Sequence, residues 1–210
     1  MTSSVELYWL PLGAGGHFVA FNGRIYEAIG ARRDHRAPLD LYHSALVVTV
    51  PEGRFVIENA WPIPDGHPET RGATIQGPVF SRHLGRFRAF RYEVRCWPKG
   101  TIADIAYAVG GAQQLSRAET QSLRILDLIS EVPPLVWGRR PAGSPEMWNS
   151  NSVISWVLTR AGLDANEIRP PTGGRAPGWA TGIERADTER SPLGHSGPSW
   201  HNRRHARGSA

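Results

Sequence analysis

The chain has 210 residues, of which 40% are hydrophobic and 20% charged. That is enough apolar material for one domain with a real core, and it excludes a chain that is disordered throughout. The formal charge of +5 comes almost wholly from arginine, and Ser191 to Ala210 alone holds Arg203, Arg204 and Arg207 with no acid; the near-neutral remainder disfavours a nucleic-acid-binding body.

No apolar run approaches the roughly 18 residues of a membrane span. The opening Met1-Thr2-Ser3-Ser4-Val5-Glu6 lacks the basic-then-apolar order of a secretory signal. One cysteine, Cys96, excludes an internal disulfide. The expected address is cytoplasmic.

Val5 to Leu10 reads as a strand. Gly13-Ala14-Gly15-Gly16 follows, but a dinucleotide loop needs a glycine at position 18, where Phe18 stands. Asn22-Gly23 signals a turn. Arg24 to Arg33 reads as a short helix with Ile25, Ala28 and Ile29 inward. Leu41 to Val50, the turn Pro51-Glu52-Gly53 and Arg54 to Ala60 form the clearest hairpin. His43, Ala45, Val47 and Thr49 share one face of its first strand. Either Glu58 or Asn59 shares that face, because side chains alternate. A three-residue loop pairs Ala45 with Asn59; a two-residue loop pairs Val47 with Glu58. One residue of slip flips the outcome.

Trp61 to Gly77 reads as a Pro- and Gly-rich loop. Phe87 to Trp97 reads as a long strand, with Arg82, Arg86, Arg88, Arg91 and Arg95 as a basic run around it. Cys96 lies mid-strand as a small core residue. Thr101 to Gly110 reads as a helix. Ser116-Arg117-Ala118-Glu119 reads as a capping box opening a helix to about Glu131, with Leu123, Leu126 and Ile129 inward.

The stretch Trp148 to Gly162 is the organising element. Asn149 or Ser150 can cap it, and Gly162 fits a left-handed stop. Val153, Ile154, Val157, Leu158 and Ala161 form an apolar stripe that includes Ser150, whereas Ser152, Ser155, Trp156 and Thr159 fall on another side. A hydroxyl aimed inward at a helix N-terminus sits where oriented amides favour negative charge. Residues 169–179 read as a fixed loop anchored by Trp179. From about Ala186 the chain turns polar and basic. His201 and His205 have a metal-compatible spacing without further ligands, so no metal and no cofactor are expected.

A histidine on a hairpin followed by a helix bearing a nucleophile-type residue after its Asn is an ordered constellation. It resembles the circularly permuted papain-like superfamily, which includes lecithin–retinol acyltransferase, its bacterial relatives and permuted isopeptidases. Those proteins carry His at the start of a strand, a polar residue on a neighbouring strand, and an Asn-Cys pair opening a helix. Tyr42-His43-Ser44-Ala45-Leu46-Val47 matches the first element. Phe55-Val56-Ile57-Glu58-Asn59-Ala60 is similar to the second, and Asn149-Ser150-Asn151-Ser152-Val153-Ile154 to the third. Glu146 to Ser152 and Gly173 to Trp179 also resemble stretches of an uncharacterised actinobacterial family.

The resemblance implies an α+β fold of permuted papain-like type, with an antiparallel sheet packed against a central helix and additional helices. The resemblance covers about residues 41–162; length and composition give one domain over 1–185 and a disordered basic tail over 186–210. The resemblance also implies Ser150 as nucleophile, His43 as base and Glu58 or Asn59 as its orienter. Ser150 stands where the superfamily has cysteine, and a hydroxyl must lose its proton to a base during attack. Three readings follow. The first is a degenerate, non-catalytic member that binds a small molecule or peptide in a cleft. The second is a serine-dependent amidase, esterase or acyltransferase. The third is an anionic-surface or nucleic-acid binder using the arginine strand and tail, with nucleic acid disfavoured by the near-neutral body.

Overall fold

The computed structural model describes residues 2–13, 27–60, 72–102 and 104–190. The strands are β1 (Ser4–Pro11), β2 (Asp40–Val50), β3 (Gly53–Ala60), β4 (Ala73–Pro78), β5 (Arg91–Pro98), β6 (Gln113–Ser116) and β7 (Gly174–Arg175). They form one mixed α+β architecture around a seven-stranded sheet with the order β4-β5-β3-β2-β1-β6. These pairings are antiparallel; β7 adds a short parallel pair to β2 through Asp40 and Leu41. Three longer helices are α1 (Glu119–Leu128), α2 (Ser150–Arg160) and α3 (Trp179–Arg190).

Alternation along the strands sorts the sheet into two faces. Val5, Leu7, Trp9, Tyr42, Leu46, Val48, Ile57 and Val94 look one way and pack with Val153, Ile154 and Val157 of α2. Leu10, Ala45, Val47 and Val56 look the other way and form a smaller cluster with Ile102. The large core therefore lies between the sheet and α2, with α1 and α3 flanking the helix.

α2 is buried from Ser150 through Thr159, so it has no solvated side over that span. Its Ser152 and Ser155 side packs on α3. Ser152 Oγ donates to Gly178 O at 2.8 Å and Ser155 Oγ to Trp179 O at 2.7 Å. At Gly182 a Cβ would fall 2.1 Å from Ser152 O and from Ser155 Oγ, so only glycine permits this approach. Gly162 ends α2 at φ 86°, the left-handed stop that its position implied. Trp179 is buried, donates its indole N–H to Ala165 O at 2.9 Å and packs against Trp9.

Several expectations are corrected. The β2–β3 turn has two residues, and it pairs Val47 with Val56 instead of Glu58. In the helical stretch 27–33, Ile29 is 65% exposed and Ala28 is also exposed, whereas Glu27 and Ala31 are buried. Ile25, Asn22-Gly23 and most of the glycine-rich stretch lie outside the described residues, as do residues 61–71 and 191–210. Residues 73–78 are the edge strand β4 instead of loop. The strand expected from Phe87 begins only at Arg91; residues 84–86 and 88–90 form 3-10 turns.

Further along, a 3-10 turn at Ile105–Tyr107 replaces the helix expected after Thr101. Ser116 caps no helix. Its hydroxyl accepts from Ala118 N and donates to Gln121, and α1 begins at Glu119 with Leu123 exposed. The expected tail boundary at 186 cuts a helix, since Ala186 is fully buried within α3.

Candidate functional site

The first turn of α2 is capped by Asn149. Its carboxamide oxygen accepts from Asn151 N and Ser152 N, and Ser152 Oγ accepts from Asn149 N in return. Asn151 points at the start of β2. Ser44 Oγ donates to Asn151 Oδ1 at 2.9 Å, and Asn151 Nδ2 donates to Tyr42 O at 2.9 Å and to Pro177 O at 3.0 Å. Ser44 and Asn151 are both almost fully buried. One carboxamide thus ties the helix, β2 and the 173–178 loop together, with both donors and its oxygen in use.

Residues 146–152 and 173–179 meet at this joint. Pro177 O also accepts from Asn149 Nδ2 at 2.8 Å. Glu146 receives the Gly178 amide and an Arg175 guanidinium, and Arg175 reaches on to Glu27. Thr181 Oγ1 donates to Glu146 O at 2.9 Å. These residues fix one loop against one helix end.

The expected catalytic residues do not come together. His43 pairs with Leu10 across β1–β2 and shares the face of Ala45 and Val47, away from α2. Ser150 lies on the helix side of the sheet, buried, and its hydroxyl bonds to no described residue. Glu58 lies opposite Arg95 on the same face as His43. Asn59 alternates to the helix face opposite Val94, where neither polar atom of its side chain meets a described partner. The sheet itself separates His43 and Glu58 from Ser150 and Asn59.

The second face carries an ionic row. Arg95 donates to Glu93 Oε2 at 3.1–3.2 Å, its other guanidinium nitrogen lies 3.9 Å from Glu58, and its cationic carbon sits 5.4 Å from the centre of the Trp97 ring. Gln76 Nε2 donates to Glu93 Oε1 at 3.1 Å. Glu93 has no exposed surface and Arg95 very little. Asp104, on the segment running from Ile102, acts electrostatically on both His43 and Glu58.

Burial holds the His43 imidazole below its usual 6.5, against the opposing charge of Asp104. Burial pushes the Glu58 carboxyl up, Arg95 pulls it back, and Asp104 adds to the rise. Burial also pushes the Cys96 thiol up to about 11, so it is no ready nucleophile. Among the described residues no group of three or more His, Cys, Asp or Glu side chains is placed to hold a metal ion.

A lowered folded-state pKa for His43 means the unfolded chain binds that proton more readily. Its contribution to stability therefore holds above about 6.5 and is lost as pH falls toward the lower folded value. Glu58 works oppositely: its raised carboxyl costs stability above the folded pKa, and that cost disappears as pH falls toward 4.5. Thermal melts of His43→Gln should lose less stability than the parent just below pH 6.5. Identical slopes for the two proteins would show that the imidazole is not held neutral by burial.

No known family model, curated protein or solved structure matches this chain.

What the two faces can do chemically follows from their contents alone. Among the described residues the helix end offers hydroxyls, carboxamides and the Glu146 carboxylate, which is taken up by Arg175 and the Gly178 amide. The opposite face offers an imidazole and carboxylates; its Ser4 pairs with Thr49, at the other end of β1 from the Leu10 that pairs with His43. Asn151, Ser44 and Glu93 were not singled out as site residues from sequence, and Arg95 was named only within the basic run. The signal for Ser44 was available: Tyr42, Leu46, Val48 and Val50 are the more apolar set on β2, so Ser44 travels with the core and His43 does not.

Proposed function

We propose that this chain is a non-catalytic binding protein, a degenerate relative of the permuted papain-like superfamily. The positions that would carry catalysis are split between the two faces of the sheet, and their neighbours Ser44 and Asn151 hold structural hydrogen bonds. The observation that carries this reading is the Ser44–Asn151 joint. It occupies the junction of helix start and strand with groups that cannot serve as base or activated nucleophile at neutral pH. His43 on the far face supplies no help to Ser150.

Binding is supported by what the surface retains. Phe80, Phe87 and Tyr107 are each at least half exposed, and large exposed side chains of this kind mark contact sites when they cluster. The ligand class at the helix end is a small molecule or peptide. A fluorophosphonate probe tests the proposal, because it reports on an activated serine directly. The expected result is no adduct on Ser150 in the parent protein. Labelling that disappears in both Ser150→Ala and His43→Ala would establish the serine hydrolase or acyltransferase reading in its place.

A further inference from the structure

The turn at Leu84–Arg86 folds back on the edge strand β4, so closely that a Cβ at Gly85 would lie 2.6 Å from Pro78 Cβ. Between them is a concavity of about 240 Å³ lined by Gln76, Gly77, Pro78, Arg82, Gly85 and Arg91. It has two guanidinium groups and no carboxylate in its lining. Arg91 is fixed by its neighbours: Nε donates to Gly85 O at 2.6 Å, Nη2 to Arg86 O at 3.4 Å and Nη1 to Gln76 Oε1 at 3.4 Å. Arg82 is exposed and pairs with no described residue.

Glu93, the cross-strand partner of Gln76, is turned to Gln76 Nε2 and Arg95. Gln76 therefore stands between that carboxylate and the pocket, with its amide nitrogen spent on Glu93 and its oxygen on Arg91. Beside the pocket the segment exposes Phe80, Phe87 and Phe90 at 55%, 50% and 37%, in alternation with Arg82, Arg86, Arg88 and Arg91. The Arg86 guanidinium lies 4.8 Å from the centre of the Phe87 ring. Phe80 is held at φ 60°, where bulky residues are rare, with its N–H on Trp137 O and its carbonyl receiving Arg139 Nε.

We infer that this concavity is a phosphate-binding pocket for a ligand that carries a flat aromatic group next to its phosphate. One guanidinium is preorganised and a second is free to close on the anion, the arrangement in which arginine recognises phosphate best. The exposed phenyl rings offer stacking faces for a base. A free nucleotide and a single nucleic-acid strand share that chemistry. The pocket does not depend on whether the helix end is catalytic, so it stands or falls separately from the function proposed above.

The test is isothermal titration of the full chain at low salt with inorganic phosphate, adenosine monophosphate and a single-stranded oligothymidylate. The expected result is salt-sensitive binding of a base-bearing ligand, tighter than that of inorganic phosphate. Arg82→Gln should weaken it about tenfold or more, as loss of a charged hydrogen-bond donor does. Phe87→Ala should weaken the base-bearing ligands and leave inorganic phosphate unchanged. Arg117→Gln, an exposed arginine remote from the segment in sequence, should bind as the parent does. A strand as natural ligand would show as oligonucleotide binding with a steeper salt dependence than the mononucleotide; equal dependence would indicate the free nucleotide. Absence of binding by all three ligands at millimolar concentration, or unchanged affinity in Arg82→Gln, would overturn the inference.

Discussion

Asn151→Ala is expected to destabilise the protein by roughly 3–5 kcal/mol, whereas Ser150→Ala, one residue away, should cost less than about 1 kcal/mol. The asymmetry follows from their bonds. Asn151 serves Ser44 Oγ, Tyr42 O and Pro177 O, all from a nearly fully buried position. Truncation strands those partners, and each unmet buried polar group costs about 1–3 kcal/mol. Ser150 makes no side-chain hydrogen bond to a described residue, and alanine suits the first turn of a helix. Chemical denaturation at neutral pH reads both values, and for a chain of this size the Asn151 change should lower Tm by roughly ten degrees. A catalytic serine with a structural neighbour would give the same stability ranking, so the fluorophosphonate experiment must accompany it.

Arg95→Met should be the second severe change, at roughly 3–5 kcal/mol, the cost of breaking a buried ion pair from one side. Glu93 is completely buried and receives two guanidinium nitrogens of Arg95 on one oxygen and Gln76 on the other. Removing the cation takes two charge-assisted hydrogen bonds from that buried carboxylate. The double variant Arg95→Met with Glu93→Gln should recover part of the loss, because a neutral carboxamide needs no counterion. Equal instability of the single and double variants would mean that Arg95 acts through packing against Trp97, where its stem and guanidinium lie.

Much of the architecture was legible because local signals and tertiary packing agreed. The β2–β3 hairpin has alternating β-branched residues and a turn rich in Pro and Gly. The central helix has an Asn cap, a continuous apolar stripe and a glycine stop. These features were read correctly from their residues. The misreadings fall where local pattern and tertiary demand part. Thr101 to Gly110 carries helix formers, yet the segment spreads over the second face of the sheet and ends in a 3-10 turn, with Val109 N bonded to Trp9 O. Phe87 to Phe90 alternate like a strand, but the backbone turns there to bring Gly85 against Pro78.

His43 and Ser150 are parted for one geometric reason. A strand shows its two faces with a period of two, and the constellation needed His43 on the face of α2, whereas it lies on the other with Glu58. Histidine drew attention to residues 43, 45, 47 and 49 because it is the residue most able to do chemistry near neutral pH. The packing energy resides in residues 42, 46, 48 and 50. Hydrophobic weight, applied to both alternatives, would have favoured Ser44 and Asn59 as the residues facing the helix. The bonding of Asn151 was not accessible in the same way. Its three partners come from β2 and from residue 177, and nothing local in Asn149-Ser150-Asn151-Ser152 says which amide turns inward.

A pair of double-mutant cycles tests the central claim most directly. The account predicts a coupling of about 1–3 kcal/mol between Ser44→Ala and Asn151→Ala, and none beyond about 0.5 kcal/mol between His43→Ala and Ser150→Ala. Strong coupling in the second cycle with none in the first would place the imidazole beside the helix end and contradict the account.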